Sequence, residues 1–80
     1  MTKINQYNEK GQKHGYWELY WSNGNPCFKG NYDNGQPDGY WEVYHQNGNL
    51  NYKGNYNNNN PIGYWECHVN GELELQIFYA

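Results

Sequence analysis

His14, His45 and His68, together with Cys27 and Cys67, carry the most readily ligating atoms in this sequence. Imidazole and thiolate are the usual donors for zinc, so a metal site is the first chemistry to weigh. Their phase argues against it. Cys67 stands in the register of Leu19 and Val43, while His68 stands in that of Tyr20 and Tyr44. Adjacent residues of an extended strand point to opposite faces, so Cys67 and His68 do not readily chelate one ion. Cys67 reads better as a small core residue. Neither thiol comes with the base and orienting group that a nucleophile needs, and no nucleophile motif is present. Two cysteines forty positions apart, with no CxxC spacing and no secretory signal, do not argue for a disulfide. Glu72 and Glu74, two apart on one strand, could pass for an acid–base pair. On an edge strand they serve better as solubilising charges. The expectation is a non-enzymatic chain with no catalytic residues, no cofactor and no metal.

Eighty residues bound the chain to one domain with a thin core. Mean hydropathy is −1.28, low enough for disorder, yet the sequence holds ten tyrosines, four tryptophans and two phenylalanines. Disordered chains lack aromatic residues, so the expected fold is one whose core is built from rings. The net charge of −3 is mild and interspersed, and there is no arginine. Duplex nucleic acid is therefore not the expected partner, because phosphate neutralisation needs clustered cations. The opening MTKINQYNEK has no signal-peptide core and no apolar run approaches spanning length, which makes the cytoplasm the expected setting and a membrane an unlikely partner.

The organising feature is a repeat. Gly15-Tyr16-Trp17-Glu18 recurs as Gly39-Tyr40-Trp41-Glu42 and as Gly63-Tyr64-Trp65-Glu66, at an interval of 24 residues both times. Asn23-Gly24 recurs as Asn47-Gly48, and Lys29-Gly30-Asn31-Tyr32 as Lys53-Gly54-Asn55-Tyr56. Each unit holds two short aromatic-rich segments separated by residues that tolerate positive φ. Glycine recurs too often for helix, and no apolar set follows a 3.6-residue period. The predicted fold is all-β: a single-layer, twisted antiparallel meander of about seven short strands, one hairpin per repeat. The single domain divides into a partial unit (1–14), two full units (15–38 and 39–62) and a capping unit (63–80).

Alternation places Trp17, Leu19 and Trp21 on a buried face, and Tyr16, Glu18 and Tyr20 on a face open to water. A strand glycine makes room for something close. Gly30 and Gly54 are expected to accommodate the rings of Trp41 and Trp65, with Ile77 filling the equivalent place in the cap. The run Asn57 to Asn60 before Pro61 looks like a linker, but it aligns with Asp33-Asn34-Gly35-Gln36 before Pro37. It is therefore predicted to be an inter-repeat turn, with Asn59 at positive φ in the place of Gly35.

The stretch from Phe28 to Trp41, with its phased glycines and rings, resembles the MORN repeat, in the variant common in bacterial and phage-type proteins. The likeness extends from about Gly11 to Tyr79. It implies an elongated sheet used as a binding platform, with protein–protein contacts, dimerisation in some members, acidic phospholipids in others, and antitoxin labels among bacterial relatives. Asn59 in place of a glycine, Ile62 in the place of His14 and Asp38, and Ile77 in that of Gly30 and Gly54 depart from the pattern. They point to a short, self-terminated array.

The candidate binding residues are Tyr16, Glu18, Tyr20, Trp21, Tyr40, Glu42, Tyr44, Tyr64 and Glu66. Ordered tyrosines present contact area at low entropic cost and are frequent in hot spots. Strand tyrosines also occur simply because they suit a pleated surface. The expected function is that of a small protein-binding module, an inhibitor or antitoxin-like factor of a toxin–antitoxin or phage–host conflict. Self-association through sheet edges is the alternative. An anionic-lipid adaptor using Lys29 and Lys53 is a weaker one, since five dispersed lysines give little attraction.

Overall fold

The computed structural model describes residues 3–80. Seven strands follow in chain order: β1 (Gln6–Tyr7), β2 (Lys13–Tyr20), β3 (Pro26–Asp33), β4 (Gln36–Tyr44), β5 (Leu50–Asn57), β6 (Asn60–Val69) and β7 (Glu72–Tyr79). Each pairs antiparallel with its sequence neighbour in one seven-stranded sheet, ordered β1 to β7 without crossover. The all-β meander predicted from the repeat is the fold.

Turn chemistry sets the register. Asn34-Gly35, Asn58-Asn59 and Asn70-Gly71 join β3 to β4, β5 to β6 and β6 to β7, with φ of 51° and 88°, 50° and 73°, and 54° and 83°. Positive φ at both central residues is the type I′ turn, whose twist matches that of the flanking strands. The asparagine run is thus a hairpin turn. Asparagine tolerates the left-handed region better than other residues with a side chain, so Asn59 can replace glycine there. Asn59→Ala is expected to cost about 1 kcal/mol, because alanine keeps the Cβ that this region disfavours and loses the short polar side chain that offsets it, and Asn59→Gly to be near neutral or mildly stabilising. Urea unfolding midpoints check this, and an alanine variant as stable as the parent would refute the turn's role.

The other hairpins use three-residue loops. Gly24 donates its N–H to the carbonyl of Trp21 at 2.9 Å, and Trp21 donates to Asn25 at 2.7 Å. His45, Gly48 and Asn49 repeat the arrangement at 2.9 and 2.8 Å. This is a type I turn closed by a glycine bulge. The last hairpin, one residue shorter in sequence, switches to the tighter type I′ turn. Gly11 also closes a three-residue loop, through its N–H to Asn8 at 3.0 Å. Its turn therefore differs from that of Gly35, with which it aligns.

The core lies on one face and consists of Trp17, Trp41 and Trp65, each no more than 6% exposed. Between the pairs Gly30↔Trp41 and Tyr32↔Pro37, the stretch Asp38 to Tyr40 opposes the single residue Asn31. Gly39, at φ 89°, sits in this bulge, which bends β4 and lets the Trp41 indole lie flat over Gly30. Trp65 lies over Gly54 in the same way. A Cβ on either glycine would fall inside the indole, so the predicted accommodation is what the packing contains. Ile77 faces Trp65 where Gly30 and Gly54 face Trp17 and Trp41. Indole Nε1 atoms donate to the carbonyls of Gln6 (Trp17, 3.1 Å), Asn31 (Trp41, 2.9 Å) and Asn55 (Trp65, 3.2 Å).

These rings form a continuous row across the sheet. Tyr7, Trp17, Tyr32, Trp41, Tyr56, Trp65 and Tyr79 meet edge to face in succession, with centroids 4.9 to 6.1 Å apart. Phe28 and Tyr52 stack on Trp41 and Trp65. Such pairs contribute about 0.5–1.5 kcal/mol each beyond area burial, which suits a chain with few aliphatic residues. The expectation of a buried Trp-plus-aliphatic face needs correction at two residues. Leu19 is 40% exposed, because a single layer leaves nothing to cover the far end of that face. Trp21 lies beyond the end of β2, after the register shifts between Leu19 and Tyr20, and so leaves the alternation that put it beside Trp17. Both cysteines are free thiols.

Candidate interaction face

Strand alternation turns Tyr16, Glu18 and Tyr20 to the face opposite the indoles, and the 24-residue period copies this twice. Glu18 accepts hydrogen bonds from Tyr16 Oη at 2.9 Å and Tyr20 Oη at 3.0 Å, one on each carboxylate oxygen. Glu42 accepts from Tyr40 at 2.9 Å and Tyr44 at 2.7 Å in the same way. Glu66 accepts from Tyr64 at 2.7 Å, while its other oxygen lies 2.9 Å from Nε2 of His68, in the place of the second tyrosine. Residues two apart on a strand share a face, so each carboxylate is gripped from both sides along its own strand.

Strand pairing ties the three clamps together. Glu18 opposes Lys29, Lys29 opposes Glu42, Glu42 opposes Lys53, and Lys53 opposes Glu66. The result is a row of alternating charge across five strands, flanked on both sides by tyrosines. Lys53 Nζ stands 3.5 Å from Glu66 Oε1. The row ends at Gln76, which opposes Glu66 and donates from Nε2 to the Tyr64 hydroxyl at 2.8 Å. Opposite charges directly across a ladder stabilise by a few tenths of a kcal/mol each, more as register markers than as a large energy source.

The electrostatics follow from this geometry. Burial, then the hydrogen bond to Glu18 and the charge behind it, pushes the Tyr16 hydroxyl up to about 12. Tyr40 and Tyr44 are pushed up to about 12 by burial and by Glu42. The Glu66 carboxyl is held down at about 2 by the hydrogen bond from Tyr64 first, then by His68, with Lys53 adding to it. Tyrosine protons stay committed to the carboxylates, so the face offers acceptors and ring surface to its surroundings.

Eight of the nine residues singled out in the sequence thus meet on one face: Tyr16, Glu18, Tyr20, Tyr40, Glu42, Tyr44, Tyr64 and Glu66. Trp21 does not join them; it sits 36% exposed in the β2–β3 loop. Lys29, Lys53, His68 and Gln76 belong to the face but were not among the nine. Their repeat phase was visible. Their role appears only once β3 and β5 are registered against the glutamates. Among the described residues, no three histidine, cysteine, aspartate or glutamate side chains gather as a metal site.

A family model described as MORN repeat variant matches residues 13–34 and 37–58, two segments in the same phase that together cover more than half of the chain. The chain belongs to the MORN repeat variant family. The two MORN matches span β2 with β3 and β4 with β5, the units that carry the Glu18 and Glu42 clamps. No curated protein and no solved structure matches the chain. MORN repeats are often protein- or lipid-binding modules, and a binding role is consistent with the open, ordered face described above.

Proposed function

We propose that this MORN chain is a non-enzymatic protein-binding module that covers a partner protein's surface with its tyrosine–glutamate face, acting as an inhibitor or antitoxin-like factor. The supporting observation is the triple clamp. Eight of the nine aromatic and acidic groups proposed from the sequence to touch a partner are held by hydrogen bonds formed before any partner arrives. Tyr20 and Tyr40 remain about half exposed, so their rings are fixed in direction and free to be covered. Side chains already ordered lose less entropy on binding, which is where an interface gains affinity without gaining area.

The chemistry of the face also indicates the kind of partner surface. Because the phenol hydrogens point at the glutamates, the face presents phenol oxygens, carboxylates and π faces. Its complement is a donor-rich surface, with Arg or Lys over the rings and main-chain N–H groups or amides at the oxygens. Lys29 and Lys53 are interleaved with glutamates, which leaves no cationic patch for an anionic membrane and favours protein over lipid.

The test is capture from the native cell with the parent chain and with a Tyr20→Ser, Tyr40→Ser, Tyr44→Ser variant. A hot-spot ring contributes about 2 kcal/mol or more, so losing three should weaken capture by well over ~30-fold. Far-UV circular dichroism verifies that the variant is folded. A folded variant that captures the same protein with parental affinity would place the interface elsewhere.

A further inference from the structure

The two edges of the sheet are built differently. At the β2 edge, β1 covers Lys13 and His14, and Asn5 continues the cover past it. The Asn5 side chain accepts from the Glu18 N–H at 2.8 Å and donates to the Glu18 carbonyl at 3.0 Å, imitating a strand backbone. The main-chain N–H of Asn5 donates to Tyr16 at 3.0 Å. At the other edge, β7 is eight residues long and, among the described residues, nothing pairs with its outer side. It contains neither proline nor lysine, and its charged guards are Glu72 and Glu74 at one end, which leaves Leu75 to Tyr79 without any. The same hairpin exposes Val69, Leu73, Leu75 and Phe78 at 50%, 48%, 52% and 76%.

We propose that two copies of this chain join antiparallel through β7, about a two-fold axis at Gln76, to make one continuous sheet. The inference does not depend on the partner-binding role proposed for the tyrosine–glutamate face. Its argument is the charge row. Alternation from Glu18 to Glu66 calls for lysine at the next position, and glutamine stands there instead. A two-fold at that position sets residue 76 against itself, where any charge would meet its like. Glutamine is neutral and self-complementary. One Nε2 hydrogen is engaged by Tyr64, which leaves the second hydrogen and the carbonyl oxygen to pair with Gln76 of the second copy.

In this register Leu75 faces Ile77 of the second copy on the indole side, and Glu74 faces Phe78 on the tyrosine side, so no acidic residue opposes another. Both sheet faces continue across the junction. A two-fold contact uses the same β7 edge on both copies, so pairing there closes at two copies instead of growing into a filament.

Sedimentation velocity of the 80-residue chain from about 1 μM to about 1 mM tests this, alongside Gln76→Lys and Gln76→Glu. The parent should approach twice its mass of 9.5 kDa with rising concentration. Each variant alone should weaken dimerisation roughly tenfold, through like charge and a lost amide pair, while its tryptophan fluorescence stays native. Mixed in equal amounts, the two variants should recover the dimer, since Lys then faces Glu. A parent that stays monomeric throughout would overturn the proposal. So would variants that dimerise as well as the parent, or a mixture that shows no recovery.

Discussion

Gly54→Ala should be among the most damaging single substitutions this chain can receive. The Trp65 indole occupies the space where the new Cβ would go, so either the ring or the strand must move. Moving the ring breaks the Nε1 bond to the Asn55 carbonyl and the edge-to-face contacts with Tyr56 and Tyr79. Moving the strand breaks the ladder on both sides of Gly54. Overpacking of this kind costs about 1–3 kcal/mol, and the rings of Tyr52, Tyr56 and Tyr79 that enclose Trp65 leave it little room to shift, which argues for the upper end. For a domain of this size, about 3 kcal/mol lowers the Tm by roughly 12–24 °C. Gly30→Ala should behave alike under Trp41. Gly15 provides the contrast: a Cβ there meets open space, so its alanine variant meets only the strain of a φ of 86°. Thermal melts followed by tryptophan fluorescence separate these cases. A Gly54→Ala chain melting within a few degrees of the parent would mean that the indole does not rest on this glycine.

How much of this could be read beforehand depended on which residues repeat. The strands, the face assignment around Trp17, Trp41 and Trp65, the strand glycines and the asparagine turn followed from a 24-residue period that a single chain displays three times over. Trp21 and Leu19 escaped that reasoning. Alternation presumes an unbroken strand and a covered face, and here a bulge ends the first while the single layer denies the second. The glutamate–tyrosine groups were visible as a face, since i and i+2 lie on one strand. The lysines between them were not placed, because cross-strand register depends on whether each turn takes two residues or three. Gln76 was invisible for the same reason: its neutrality means something only beside a charge row that a two-dimensional pairing creates.

The same clamps set limits in pH, and the larger effect is expected in alkali. In the unfolded chain a tyrosine titrates near its ordinary 10, whereas Tyr16, Tyr40 and Tyr44 are pushed up to about 12 in the fold. Burial of Tyr20, Tyr32 and Tyr56, and for Tyr20 chiefly its bond to Glu18, raises those too. Between these two values the folded chain holds protons that the unfolded chain releases, so raising pH favours unfolding. The stabilisation is complete below about 10 and is lost as pH climbs through about 12. In acid the sign reverses. Glu66 is held down at about 2 against an ordinary 4.5, so its contribution is present above 4.5 and disappears as pH falls towards about 2. Several tyrosines act together on the alkaline side against one glutamate, and a domain this small has little stability to lose. Urea midpoints should therefore be flat from about pH 7.5 to 9 and fall steeply above about 10, with phenolate absorbance rising in step with loss of the β-sheet signal. Tyr40→Phe with Tyr44→Phe should make the alkaline slope shallower, because fewer protons separate the two states. A midpoint near pH 11 equal to that near pH 8 would show that the hydroxyls do not grip the carboxylates. If the face binds as proposed, partner capture should decline along the same alkaline limb and in step with unfolding, because the folded chain keeps the phenol protons of Tyr40 and Tyr44 up to about 12.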